Sequence, residues 1–531
     1  IIYKLSALST FLIIFIMTSI LPKKAYQAQY ENISPDTFLN NLSESDKFIY
    51  AQAKRFMEWY EGCSEFRDQI RSKNLSEKYF SELVDVGVSS DVINDMCTLW
   101  SDEFTSDLYA ELSSPEPLSE SFSLKLSKIL DSPRLYLTYK MIFRQFSFEH
   151  RKRAFELSGD SDFYAWRKRR LYATQSELGW YGASIDHPIF SIELGIGCTV
   201  GCTFCAFDAQ KHEVNFDYRS DDNKELFRAV ANSLKDILGL PGGYHGMLYY
   251  ATEPNDNPDY LQFMQEFYEI TGGKLCTSTA RYDTKWAEDL IEFYSSPQPA
   301  SWPRFSVLSH HCTKKLHKHF APLDFMYPWI LAQSIEMEDE RKKVPGGREK
   351  YGMEQLKSVI DARQASSQDK VDTSSIPQGS IACVTGFKIN MVNKTITATS
   401  PCYTSQKWSK GYRDFGIETF TTPDSVRPAF DRLIDKVMPS SLDFSKKFEW
   451  RDDLEYRSVE NGFQLVSPYI FYTFNNKTIH STFDSFETNK HSFTFDQLRD
   501  KLISSDSDMN YYSASVFLES FWKRGFVSEL N

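Results

Sequence analysis

Residues 195–207 read GIGCTVGCTFCAF, which sets Cys198, Cys202 and Cys205 at C-x3-C-x2-C spacing just beyond an apolar run at 189–194. Three thiolates so spaced can hold three irons of a 4Fe-4S cluster and leave the fourth iron open for a small molecule to chelate. An open iron serves chemistry and not electron transfer alone. Gly195, Gly197 and Gly201 let the backbone wrap closely around a bound group. A position past the C-terminal end of a strand is where β/α barrels carry their active sites. The competing reading is a structural zinc site with His212 as fourth ligand, although such sites usually pair two C-x2-C elements or use two histidines.

From His187 onward the chain alternates short apolar strands with helices, the pattern of parallel β/α architecture. Four units can be counted. The first strand, 189–194, is followed after a long loop by a helix carrying Leu226, Val230, Leu234 and Ile237. The second, 246–251, precedes a helix that Pro258 starts and Gly272 ends. The third, 274–279, precedes a helix with Trp286, Leu290 and Phe293 on one face, and the fourth is 304–308. Residues 336–379 are charged, poor in strand signals and broken at Pro345-Gly346-Gly347, as a helix and linker or a lid would be. A hairpin of 380–392 and 395–399, turning at Asn393 and Lys394, follows.

Residues 35–180 show helical spacing without strand alternation, for instance Phe48, Ala51, Ala53, Phe56 and Tyr60 in one amphipathic run. They end in a basic stretch, 151–170, with Tyr164 and Trp166 interleaved, which could touch an acidic peptide but reads first as a solvated helix face. At the other end, 456–459, 463–466 and 469–474 read as three short antiparallel strands. Thr494 and Gln497 form a capping box, and Ala514, Phe517, Leu518 and Phe521 mark a last helix, so the element order is that of a winged helix. At the very start, residues 5–22 carry no charge between Lys4 and Lys23-Lys24. That length suits a signal peptide cleaved near Ala28, but Met17 inside the run and the polar sequence after it read better as an over-extended start.

With 531 residues the chain can hold about three domains, and 41% hydrophobic with 25% charged residues is ordinary globular composition. Sixty Lys and Arg against seventy-two Asp and Glu leave a net charge of -12, the wrong sign for holding nucleic acid. Nine cysteines, three of them crowded into one loop, point to metal or redox chemistry in a reducing, cytoplasmic compartment and not to a disulfide framework. No membrane association is expected.

The cysteine triplet with Phe204 before its third member resembles the radical S-adenosylmethionine (SAM) enzymes. The resemblance narrows in several blocks: AKRFMEWYEGCSEFR, the cysteine loop, YYATEPNDNPDY, RFSVLS and GSIACVTGFKINMVNKTITATSPC, spread over residues 50–415. Together they resemble the peptide epimerases that mature proteusin-type ribosomal peptides. The implied fold is α/β: a partial (β/α)6 barrel at 181–335, with a helical domain at 31–180 behind an apolar extension at 1–30. A linker, hairpin and hydrogen-donor region at 336–449 and a winged-helix-like α+β peptide-recognition domain at 450–531 complete it. The implied cofactors are a 4Fe-4S cluster on Cys198, Cys202 and Cys205, and SAM. Glu253 stands where the family's carboxylate binds the SAM amino group, although Ala251 and Thr252 replace its usual two glycines. Thr277, Ser278, Thr279, Ser306 and Ser309 are candidates for the ribose or carboxylate, or are ordinary strand hydroxyls.

The implied reaction turns L-residues of a precursor peptide into D-residues. A 5'-deoxyadenosyl radical takes the Cα hydrogen, and a thiol on the opposite face returns one. Among the remaining cysteines, 63, 97, 276, 312, 383 and 402, only Cys383 and Cys402 lie in the hairpin after the barrel. Cys383 is the first choice and Cys402 the second. The six are not grouped as an auxiliary cluster requires, which disfavours thioether formation, and the helical N-terminal region lacks a cobalamin-binding β/α pattern, which disfavours methylation. Another radical SAM peptide modification, or a catalytically silent peptide-binding protein, remains the alternative. The expected partners are a leader-bearing precursor peptide, held by strand addition, and a reductant such as flavodoxin or ferredoxin.

Overall fold

The computed structural model describes residues 4–5, 34–100, 130–156, 162–179, 182, 185–202, 205–243, 245–282, 284–295, 302–333, 347–348, 383–468, 470–487, 494–506 and 508–530. Phe204, nearly all of the apolar start and nearly all of 336–379 lie outside them. Among the described residues no helix is long and apolar enough to cross a membrane.

The N-terminal region is helical, as its spacing predicts: α1 Pro35–Asn40, α2 Glu44–Gly62, α3 Ser64–Arg71, α4 Glu77–Asp85, α5 Ser90–Cys97, α6 Asp131–Glu156 and α7 Asp162–Leu178. Helix α2 starts where the Ser43 hydroxyl accepts the Asp46 N–H at 3.1 Å. It is the hub of this region, burying Ala51, Ala53, Phe56, Trp59 and Tyr60. Phe48 departs from the expected face and is 46% exposed, because the core begins only at Tyr50 and the first turn of α2 projects beyond it.

The described part of the basic stretch, within α7, is not a purely solvated face. In α7, Arg167 and Arg169 are buried. Arg167 donates to the carbonyls of His187 at 2.7 Å and Thr385 at 3.2 Å, and the Arg169 guanidinium lies 3.7 Å from the Trp522 ring centre. Carbonyl groups and an aromatic face replace water around these cations, so α7 is a strut between the central sheet and the C-terminal unit.

The central sheet contains the expected strands, shortened: β2 Phe190–Glu193, β5 Gly246–Met247, β6 Ser278–Thr279 and β7 Arg304–Val307. Between them, β3 Gly195–Ile196 and β4 Val214–Asn215 form a small ribbon at the root of the cysteine loop. A further parallel strand that hydrophobic patterning missed, β8 Trp329–Ala332, pairs with β7. The hairpin is real, β9 Gly386–Asn390 with β10 Thr395–Pro401, and β11 Tyr412–Thr419 extends it. Its first strand also pairs in parallel with β2, Phe190 opposite Phe387. A parallel bridge from Met247 to Cys276 joins β5 to β6. Six strands therefore run parallel in the order β9-β2-β5-β6-β7-β8.

Helices α8 Asp221–Gly243, α9 Tyr260–Thr271, α10 Thr284–Ser295 and α11 His310–His319 connect these strands, and α12 Pro423–Val437 follows β11. Strand alternation sends Phe190, Ile192, Phe305, Val307, Phe387 and Ile389 into the apolar core shared with the helices. The opposite face receives Ser191, Glu193, Arg304, Ser306, Lys388 and Asn390, and this polar inner face carries the candidate site.

The C-terminal unit consists of β13 Glu455–Val459, β14 Gly462–Val466 and β15 Phe471–Phe474, antiparallel, then α13 Lys477–Glu487, α14 Phe495–Ser505 and α15 Tyr511–Lys523. The Thr494–Gln497 capping box is present. A ribbon of β12 Lys447–Trp450 and β16 Val527–Leu530 closes the unit, and β1 Lys4–Leu5 lies parallel along the outer edge of β15.

Candidate functional site

The cysteine loop leaves the C-terminal end of β3 and returns through β4. The Cys198 N–H donates to Gln210 O at 2.9 Å and the Cys205 N–H to Cys202 O at 3.3 Å. Gly197 sits at φ +81, and a Cβ there would stand 2.3 Å from Lys211 O, so the tight return requires glycine. Gly201, at φ +66, faces open space. The Val200 N–H points at Cys198 Sγ, 3.4 Å away. Burial, then the neighbouring Cys198 and Cys205, push the Cys202 thiol up to about 12; burial also raises Cys198.

The ligand atoms of Cys198, Cys202, Cys205 and His212 do not converge. Among the described residues the one group of such atoms within 4.8 Å of one another is Glu177, Asp452 and Asp453, which pair with Arg413 and Arg451. A single zinc ion would draw thiolates to about 3.8 Å from one another, given Zn–S bonds of about 2.3 Å and tetrahedral angles.

Glu253 lies beside the loop, 5% exposed, at the start of a short 3-10 turn, Pro254–Asp256. Its carboxylate accepts from the Asn255 N–H at 3.1 Å, the Ala280 N–H at 2.9 Å and the Thr279 hydroxyl. Burial raises its pKa, against those three donors. Next to it, Asp256 takes the Thr199 N–H at 2.9 Å and the Thr199 hydroxyl at 2.5 Å, and Arg281 donates to that hydroxyl at 2.7 Å. The Asn257 amide ties Leu194 O to Phe216 O, each at 3.0 Å.

The strand hydroxyls divide. Ser278 and Ser306 face each other on the inner face, 3.2 Å apart, and Thr279 orients Glu253. Thr277 is turned away: fully buried, it meets the Tyr260 hydroxyl at 2.7 Å and receives the Tyr294 hydroxyl at 3.2 Å, on the helix side. Ser309 caps α11, accepting the Cys312 N–H at 3.4 Å.

The two remaining candidate cysteines have different surroundings. Cys383 packs, with Phe207 of the cysteine loop, Tyr249, Cys276 and Tyr412, around a small apolar cluster of Met247, Tyr250 and Val384. Burial pushes its thiol up to about 12, against the nearby Arg304. Cys402 is fully buried at the end of β10, where Arg413, Glu177 and Asp452 surround it.

Two residues that spacing did not single out join the site. Glu193, on the inner face of β2, accepts the Ala251 N–H at 2.9 Å and the Asn390 amide at 3.3 Å, and burial raises its pKa. An acid between Ile192 and Leu194 in the apolar run 189–194 was the available signal. Arg348, from a stretch that reads as a linker, reaches the cysteine loop; nothing local in the sequence marks it.

The chain is 29% identical over 434 residues to Uncharacterized protein y4wI of Sinorhizobium fredii, covering 81% of this chain and 78% of that one. No protein-family profile and no solved structure matches the chain.

Proposed function

We propose that this chain is a radical SAM peptide epimerase in which Cys198, Cys202 and Cys205 hold a 4Fe-4S cluster and Cys383 is the hydrogen donor. The observation that carries the reading is the apolar cluster of the inner face, where Phe207, two residues past Cys205, and Cys383 pack around the same three side chains. The parallel order of six strands with helices on one face supports a partial (β/α)6 barrel. Three thiols on one loop, an N–H directed at one sulfur and open space at Gly201 support the cluster reading.

When bound, the cluster and SAM supply a carbon radical able to take a Cα hydrogen. The chain's own residues do the rest. A carboxylate offers about four acceptor sites; three donors occupy Glu253, which leaves room for one N–H of the SAM ammonium. Ser278 and Ser306, hydrogen-bonded to each other on the inner face, are the hydroxyls that would turn toward the ribose. A high thiol pKa keeps Cys383 as S–H at neutral pH, the form that can deliver a hydrogen atom to a planar Cα radical. The apolar wall of Met247, Tyr250 and Val384 excludes water from that exchange.

For the peptide, the three strands and three helices of the C-terminal unit support a winged-helix-like recognition domain. The outer edge of β15 already accepts Lys4–Leu5 as an added strand, and Phe471 beside it is 47% exposed. A leader segment binding there gains backbone hydrogen bonds first and side-chain selectivity second. A flavodoxin or ferredoxin is the proposed electron source.

The test is co-expression with a candidate precursor peptide in deuterated water. A gain of about one mass unit per modified residue, with D-residues on chiral hydrolysis, is expected. Cys383→Ala should still form 5'-deoxyadenosine but no D-residues; continued epimerisation by that variant refutes the assignment. A different mass change discards epimerisation and keeps the SAM radical.

A further inference from the structure

The cysteine loop is clamped from a distant part of the chain by Gly347 and Arg348. The Arg348 backbone N–H donates to Cys205 O at 3.0 Å. Its guanidinium donates through Nη1 to Cys202 O at 3.0 Å, through Nη2 to Ala209 O at 2.6 Å and through Nε to the Asp208 carboxylate at 3.1 Å. Gly347 donates its N–H to Ser409 O at 2.8 Å, which ties the clamp to the turn before β11. It sits at φ +54, and a Cβ there would stand 2.1 Å from Ala206 O, so the segment seats only with glycine at this position.

We infer that Arg348 is a positioning residue for the metal group on the cysteine loop, fixing the carbonyls of Cys202 and Cys205 and pairing its charge with Asp208 at the loop's end. The inference rests on the cluster reading above. A carbonyl held by a fixed donor cannot rotate, and the Cα–Cβ direction of the same residue is fixed with it. Arg348 does this for two of the three ligand residues at once. The planar fork suits the task because its donors diverge at set angles, toward Cys202 O, Ala209 O and Asp208, where an ammonium is one point charge on a flexible stem. Groups that orient metal ligands tune both affinity and redox potential. Without the guanidinium, the Asp208 carboxylate at the loop's end would be left uncompensated, which would disfavour the reduced, more negative state of a bound cluster.

The full chain, reconstituted anaerobically with iron and sulfide, provides the test in three forms: wild type, Arg348→Ala and Arg348→Lys. The readouts are iron per chain, the rate of iron loss to a chelator, the midpoint potential and the electron paramagnetic resonance spectrum of the reduced state. Arg348→Ala should lose iron about tenfold faster, the scale set by charge-assisted hydrogen bonds to the loop, and its midpoint should move to more negative potential. Arg348→Lys should lose iron faster as well while keeping a midpoint near that of wild type, since it retains the charge without the fork. Should the alanine variant fail to fold, the lysine and glutamine variants carry the same comparison. An alanine variant with wild-type iron retention and wild-type potential overturns the inference and leaves the cluster reading standing. A wild-type chain that assembles no cubane overturns both.

Discussion

The ring of His317 provides a test of how the helical region is fastened to the sheet. His317 lies on α11, fully buried in side chain, between two residues of α2. The Trp59 indole donates to its Nδ1 at 2.9 Å, and its Nε2 meets Glu58 at 2.9 Å, while Lys54 holds the other Glu58 oxygen. An indole N–H can only donate, so Nδ1 must carry a lone pair and the ring must be neutral with its hydrogen on Nε2. Burial pushes the pKa of His317 down to about 4, assisted by Arg55 and opposed by Glu58. In the unfolded chain the ring titrates near 6.5, so between about 6.5 and 4 the unfolded state binds more protons and stability falls as the pH falls. A shift of that size removes about 2 kcal/mol between pH 7.5 and 5. Glu58 is held down to about 2, because Lys54 and His317 outweigh its burial, and its own contribution is lost only as the pH falls below about 4.5, outside that interval. His317→Gln keeps an acceptor for Trp59 and a donor for Glu58 but cannot titrate. Urea unfolding at pH 7.5 and pH 5 should therefore show wild type losing about 2 kcal/mol more than the glutamine variant. Equal losses in the two proteins would refute the tautomer argument.

Three other outcomes are expected. Glu253→Gln should weaken SAM binding about tenfold to a hundredfold by anaerobic calorimetry, because it replaces a charged acceptor and turns an amide N–H toward the Ala280 N–H; unchanged affinity removes Glu253 from the SAM site. Arg413→Met leaves the buried Glu177 with the Tyr403 N–H at 2.7 Å and, as its nearest cation, Arg451 at 3.7 Å, and should cost about 3–5 kcal/mol in urea unfolding. A cost below about 1 kcal/mol would mean the cluster behaves like a surface pair. Phe471→Asp puts a charge on the exposed end of β15 and should weaken leader-peptide binding in fluorescence anisotropy without altering iron content; full binding would move the leader elsewhere.

What was legible in the sequence was what short spacing encodes. The Thr494–Gln497 cap and the three C-terminal strands each depend on residues a few positions apart, and both are present. What was not legible depends on partners far along the chain. The hairpin strand β9 pairs with β2, nearly two hundred residues earlier, and nothing within the segment reveals that its other edge is occupied. Arg167 was read as solvated because its sequence neighbours are charged, yet its partners are carbonyls at positions 187 and 385.

The hydroxyls of β6 show the same limit at the site itself. TST at 277–279 presents three similar side chains, and only strand phase decides which of them can reach a ligand. Leu275 belongs to the core shared with the helices, so Thr277, two residues on, faces the same way and is taken by Tyr260 and Tyr294. Cys276 faces inward with the cluster that holds Cys383, and Ser278 must follow it to meet Ser306. Thr279 falls on the outward phase by alternation, yet the strand ends there and the chain turns, which brings its hydroxyl onto Glu253 instead. Residue type alone therefore cannot select the site residues of a parallel sheet; the apolar partners set the phase of each strand, and at Thr279 the turn that follows overrides it.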